Sequence, residues 1–535
     1  MVGCVREVDL DTILVEEIGQ FGKYQLRTFL LVILLVIFVA WSAVEYMFTT
    51  SRISTRCLIP ECEETSTSFS PYWLANAVPQ GDQCERFASA NATLRVVDSD
   101  TCPASLFNRN TRVPCDDFVY ENTHSVYGLA CEEWKRSLIG TVRTFGTLAA
   151  LPIIGFVSDR WGRRVALVLS AFNTAWIGVT RYWADTYIGF MISEFFEAAF
   201  GSGGFTSAYI LVMELVDPKF RVAAGAMMNT TFAVGQVTMA LIAWGVPNWR
   251  KLTLTLYIPQ FLTIFYYWLI NESIRWYMSK GRFDESEALL RKVAKVNGKE
   301  ISEKSLEALR RTAQEKLRIS AIEAEKRGGE PWLVVQVFQH KKILLRVLVS
   351  PVWWITTTLI YYGLSLNAVN MSGNRYVNYI AVAAIEIPGF WIAYFLMDRI
   401  GRKPVLTGSF WLCAACQIAY IFIPTDLYAI SLTVYLIAKM AIASVAISVY
   451  VYTAELYPTK HRHSLFAFSS MIGRIGSMVA PLTPAFVSYL PFVLFGSFAL
   501  VSGFLIFLTP ETLGHALPDT FEQAEEIGLT GKTKK

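Results

Sequence analysis

Asp159-Arg160-Trp161-Gly162-Arg163-Arg164 and Asp398-Arg399-Ile400-Gly401-Arg402-Lys403 are near-copies of one charged hexapeptide, 239 positions apart, each wedged between long apolar runs. Each is followed at a similar distance by a second charged pair of stretches. Glu214-Leu215-Val216-Asp217-Pro218-Lys219-Phe220-Arg221 begins 55 residues after Asp159, and Glu455-Leu456-Tyr457-Pro458-Thr459-Lys460-His461-Arg462 begins 57 after Asp398. A duplication of this span means two copies of one multi-helix unit.

Composition says what surrounds those units. The 535 residues are 53% hydrophobic and only 17% charged, against roughly 25% charged in soluble proteins. Such a chain needs lipid around it. A net charge of +4 gives no case for nucleic-acid binding. Segments long and apolar enough to cross the bilayer fall at about 28–48, 137–157, 165–183, 187–212, 223–245, 252–270, 343–365, 377–397, 404–423, 428–452, 465–487 and 490–509. The expected fold is therefore an all-α membrane protein of 12 transmembrane helices in two pseudo-symmetric six-helix bundles.

The expected organisation is a cytosolic N-terminus (1–27), a first bundle (28–271), a cytosolic linker with helices (272–342), a second bundle (343–509) and a cytosolic tail (510–535). Arg160, Arg163, Arg164, Lys219 and Arg221, with Arg399, Arg402, Lys403, Lys460 and Arg462, crowd the short loops of one side. The positive-inside rule puts that side, and both termini, in the cytosol. In the linker, Asp284-Glu285-Ser286-Glu287 is expected to cap a helix whose Ala288, Leu289, Val293 and Val296 share a face before Gly298 stops it. A second helical pattern runs from Ser305 to Arg318.

A polar loop at 49–136 holds Cys57, Cys62, Cys84, Cys102, Cys115 and Cys131, which implies an oxidising compartment and up to three disulfides with 15 possible connectivities. Asn91-Ala-Thr93 there is a glycosylation sequon, and Asn370-Met-Ser372 a second. Gly531-Lys532-Thr533 is no phosphate loop, because Glu526 stands where the opening glycine is required. No cofactor is expected. Neither a metal-ligand cluster nor a nucleophile elbow is present in the sequence, so an enzyme is not expected.

The Asp-Arg-x-Gly-Arg-Arg/Lys boxes resemble the signature of the major facilitator superfamily. Glu272-Ser-Ile-Arg-Trp276, Tyr452-Thr-Ala-Glu-Leu-Tyr-Pro458 and the cysteine-rich first loop narrow the resemblance to the animal organic cation, carnitine and organic anion transporters. Asn271 departs from it, standing where that family usually has proline. The resemblance implies alternating access across the plasma membrane, with a small organic ion as cargo and sodium or a proton as the possible coupling ion.

The charges then take roles. Asp159, Arg160, Arg163, Glu214 and Arg221, with Asp398, Arg399, Arg402, Glu455 and Arg462, are expected to pair across helix ends as a cytosolic gate. Arg474, in the eleventh span among small residues, is the clearest ionisable group inside the membrane. Its guanidinium fork matches a carboxylate. By family position, arginine there goes with carnitine-type and anion carriers, and Tyr209, Asn229, Phe232, Tyr361, Tyr362 and Lys439 also match residues near the substrate. Glu386, Glu45 and Glu194 or Glu197 are the available counter-charges, and Trp41, Trp353 and Trp354 extend an aromatic lining for an ammonium group. The expected cargo is a cation or zwitterion of the carnitine, carcinine or β-alanine sort. An organic anion exchanger is the alternative, and a receptor or scaffold without transport ranks below both.

Overall fold

The computed structural model describes residues 10–19, 22–63, 68–79, 84–90, 102–122, 124–125, 129–216, 220–326, 332–424, 426–459, 461–486, 489–515, 518 and 520–527. Asn91, Lys219, Lys460 and Gly531-Lys532-Thr533 lie outside them. Ten helices among the described residues are long and apolar enough to cross a membrane: α1 (Lys23–Thr49), α2 (Glu133–Trp161), α5 (Arg221–Gly245), α6 (Trp249–Leu269), α7 (Lys341–Ala368), α8 (Arg375–Ile400), α9 (Arg402–Ile421), α10 (Tyr428–Leu456), α11 (Arg462–Ala485) and α12 (Leu490–Leu508). The 18-residue α3 (Arg163–Thr180) and α4, which breaks at Ser202 into Tyr187–Gly201 and Gly203–Leu215, complete twelve.

The twelve pack as two copies of one pattern. α1 lies on α5, α2 on α4 and α3 on α6, and in the second half α7 lies on α11, α8 on α10 and α9 on α12. The halves meet through α2 against α11 and α5 against α8, which the same pseudo-symmetry relates. Small residues allow this: Ala226 and Ala233 of α5 are buried with Phe390 and Met397 of α8.

One face of the bundle carries the disulfide-bonded loop and the opposite face the linker. The loop is built on two antiparallel ribbons, β1 (Thr55–Cys57) with β4 (Phe118–Tyr120) and β2 (Glu85–Ser89) with β3 (Phe107–Pro114). Its disulfides are Cys57–Cys115, Cys62–Cys102 and Cys84–Cys131. Beneath them Arg56 and Glu63 form a buried bidentate pair at 2.6 and 2.8 Å.

At the linker face the helix Phe283–Asn297 ends on Gly298 in the left-handed conformation, φ +69°. The capping residue is Arg282, whose side chain makes no cap bond, so Asp284 and Glu285 act through their charge in the first turn. The buried face is Leu289, Leu290 and Val293 rather than one that includes Ala288 and Val296, which are exposed. It closes over Leu10, Ile13, Ile18 and Tyr24, because the segment before α1 folds back onto the linker. The second linker helix is longer than expected, Glu303–Lys326. Asn271 accepts from Lys292 and donates to the Tyr24 hydroxyl, both at 3.0 Å, contacts a proline side chain could not make.

Candidate functional site

The two boxes superpose in chemistry, bond for bond. In the first, Arg163 reaches Asp159 at 2.9 Å, Glu214 at 3.4 Å and the Ser158 carbonyl at 2.9 Å. In the second, Arg402 reaches Asp398 at 3.1 Å, Glu455 at 3.2 Å and the Met397 carbonyl at 3.0 Å. The carboxylate of Glu272 accepts the amides of Arg163 and Arg164, capping α3 at 2.8 and 3.1 Å. Glu511 caps α9 the same way, through Arg402 and Lys403 at 3.0 and 2.9 Å. Burial pushes the Glu272 carboxyl up, while its backbone N–H donors pull it back. Glycine is required between the charges, since Gly162 and Gly401 sit at φ +107° and +108°.

The gate candidates are thus distributed within halves. Arg160 is exposed over the Phe156 ring, Arg399 is exposed, and Arg462 donates to the Tyr457 carbonyl and Thr459. Arg221 is half-buried at the start of α5. Among the described residues, the hydrogen bonds joining the halves lie on the loop side and at mid-membrane. Thr141 donates to the Met478 carbonyl (3.1 Å), Arg375 to Ser51 (3.0 Å), Tyr379 to Gln236 (3.0 Å) and Gln236 to Glu386 (3.2 Å).

Midway through the membrane the candidates separate into closed and open groups. Lys439 and Glu386 are fully buried and paired at 2.9 Å. Lys439 also donates to the Tyr361 carbonyl and Ser365, both at 2.8 Å, and Glu386 accepts from the Tyr361 hydroxyl at 2.7 Å. Lys439→Met should therefore cost about 3 kcal/mol by stranding a buried carboxylate, and Lys439→Met with Glu386→Gln should recover most of it. Thermal unfolding of the two variants checks this.

Glu45 is equally enclosed. With Arg143, Arg181, Glu194, Glu197 and Tyr257 it forms a buried cluster in the first half. Arg181 reaches Glu45 at 2.5 Å, Glu194 at 3.1 Å and Glu197 at 2.5 Å, while Arg143 reaches Glu194 at 2.5 Å and Glu197 at 2.7 Å. Sequence reasoning passed over Arg143 and Arg181, although the rule that singles out Arg474, an ion within an apolar run, applies to them equally.

Arg474 is different. It is half-buried, and among the described residues its guanidinium has neither an ion pair nor a hydrogen bond. It lies within electrostatic reach of Tyr450 in α10, as does Tyr362 of α7, and Tyr450 in turn reaches Tyr209 of α4. Trp354 packs edge-on against Tyr450 at 4.7 Å and donates to Thr453. The Phe205 ring joins Tyr209 to Phe232, and the Asn229 amide turns back to its own helix at Gly225. Trp41 is tied to Thr238, and Trp353 is buried against Tyr452. Tyr450, which the sequence reading passed over, is the ring that links candidates from both halves. It is 49% exposed, although it lies within a transmembrane helix.

Residues 109–526 match the family model described as "Sugar (and other) transporter". The chain is 30% identical to the organic cation transporter protein of Drosophila melanogaster, over 96% of this chain and 94% of that one. It is 29% identical to solute carrier family 22 member 2 of Homo sapiens, over 97% and 95% respectively. Among solved structures, a partially occluded inward-open xylose transporter from E. coli aligns with TM-score 0.58 at 16% identity, covering 93% of this chain and all of that one.

Proposed function

The chain belongs to the sugar (and other) transporter family of the major facilitator superfamily, with the organic cation transporters as relatives, and on that premise we propose that it carries small organic zwitterions by alternating access. The solute's carboxylate sits on Arg474 and its ammonium against Tyr450, Tyr362, Tyr209 and Trp354. The observation that supports this most directly is the open guanidinium: among the described residues Arg143, Arg181 and Lys439 are each closed in ion pairs, whereas Arg474 is not. An aromatic face attracts an ammonium without a formal counter-charge, which matters because Glu45 and Glu386 are both engaged.

The linker face is the cytosolic one and the chain resides in the plasma membrane. In this reading the structure stands closed toward the loop face, and the cycle requires the Thr141, Arg375 and Gln236 bonds between the halves to part. The boxes hold each half rigid while it rocks.

Uptake into proteoliposomes of carnitine-like zwitterions, carboxyl-free amines and dicarboxylates, with and without sodium, tests the reading. Preference for zwitterions supports it. The engagement of Glu45 and Glu386 favours one second reading, an organic anion exchanger. Dicarboxylate exchange without uptake of any ammonium compound would establish that instead.

A further inference from the structure

The buried cluster of the first half has an odd charge. Arg143 and Arg181 carry two positive charges and Glu45, Glu194 and Glu197 three negative ones, and the acids are at most 2% exposed. Around them stand Ser42 of α1, whose carbonyl accepts from Arg143, and Thr253 and the neutral donor Tyr257 of α6. Tyr46 lies beneath the Arg143 guanidinium. Among the described residues no third cation pairs with these carboxylates. An unbalanced charge in this place costs several kcal/mol or more, so something neutralises it.

We propose that the cluster binds one proton at neutral pH, and that it resides on Oε1 of Glu45. Glu197 accepts from Arg143, Arg181 and Tyr257, which favours its ionised form. Glu194 lies between both guanidiniums. Glu45 meets a single guanidinium, through Oε2, while its Oε1 lies 3.0 Å from the Thr253 hydroxyl. That hydroxyl has one hydrogen and two acceptors in range, the other being the Trp249 carbonyl at 2.9 Å. A proton on Glu45 Oε1 resolves the conflict: Glu45 donates to Thr253, and Thr253 donates to Trp249. A sodium ion does not fit, because it needs several oxygens free of donors and these carboxylates already face guanidinium N–H groups. The site is separate from Arg474 and does not depend on which solute is carried.

Infrared difference spectra of the full chain in nanodiscs, taken between neutral and alkaline pH, should show the carbonyl band of a protonated carboxyl that disappears at alkaline pH. The band should be missing in Glu45→Gln and shifted in Thr253→Val, which leaves every charge in place. Because the folded chain holds this proton more tightly than the unfolded one, its contribution to wild-type thermal stability is complete below about pH 4.3, where the free carboxyl is protonated too, and should fall as pH rises from there until the folded carboxyl itself deprotonates. In Glu45→Gln that fall should vanish. A wild-type spectrum without the band, a band that persists unshifted in Thr253→Val, or sodium-dependent stabilisation in place of the band would overturn the proposal.

Discussion

Arg474→Ala is expected to remove uptake of carboxylate-bearing solutes while leaving a carboxyl-free amine of the same size transported. Among the described residues the guanidinium has no protein partner to lose, so truncating it strands no buried acid. The loss falls on the solute, whose carboxylate forfeits a two-pronged charge-assisted contact. At about 1.5–3 kcal/mol for each such hydrogen bond, uptake efficiency should drop by roughly 100-fold or more. Arg474→Lys should rescue little, since an ammonium is a point charge and cannot match both oxygens. Tyr450→Phe, which keeps the ring, should be mild, whereas Tyr450→Ala should weaken the ammonium end for both classes of solute. Initial uptake rates over a range of solute concentrations check all four variants. Equal carboxylate uptake by Arg474→Ala and wild type would remove Arg474 from the site.

What the sequence disclosed and what it hid follow from the range of the forces involved. The twelve spans were legible because a bilayer imposes length and apolarity on each segment separately, and the duplicated boxes were legible because they are contiguous. Disulfide pairing was not, since Cys57 and Cys115, brought close where β1 pairs with β4, lie 58 residues apart along the chain, and Cys84 and Cys131 lie 47 apart. The same limit applies inside the membrane. Sequence could name Glu45, Glu386, Lys439 and Arg474 as ions in lipid, but only three dimensions sort them, with Lys439 consuming Glu386 and Arg181 consuming Glu45. Glu511 is the omission that could have been avoided. It stands 109 residues after Arg402, as Glu272 does after Arg163, so the repeat extends one motif beyond the charged boxes.

Glu511 accepts the Arg402 and Lys403 amides and also those of Thr512 and Leu513, so one carboxylate both caps α9 and fixes the chain leaving α12. Capping interactions are each worth about 1 kcal/mol, and bonds to a charged acceptor about 1.5–3. Glu511→Ala should therefore cost on the order of 5 kcal/mol, a large part of a domain's stability. Gly401→Ala attacks the same joint from the other side. A Cβ there would stand 2.6 Å from Glu511 Oε2, on a backbone with φ +108° that disfavours any side chain. Gly162→Ala repeats the insult at Glu272, whose carboxylate the added Cβ would overlap. Each glycine variant should lower the melting temperature and the amount of protein reaching the cell surface, and the pair together should leave no folded carrier. Asp159→Asn and Asp398→Asn supply the contrast. Those acids are exposed, and each pairs with its arginine at i,i+4, a contact worth only about 0.5 kcal/mol. If the aspartate variants proved as damaging to the fold as the glycine ones, the joint would owe its strength to the arginine–aspartate pairs and not to the carboxylate caps.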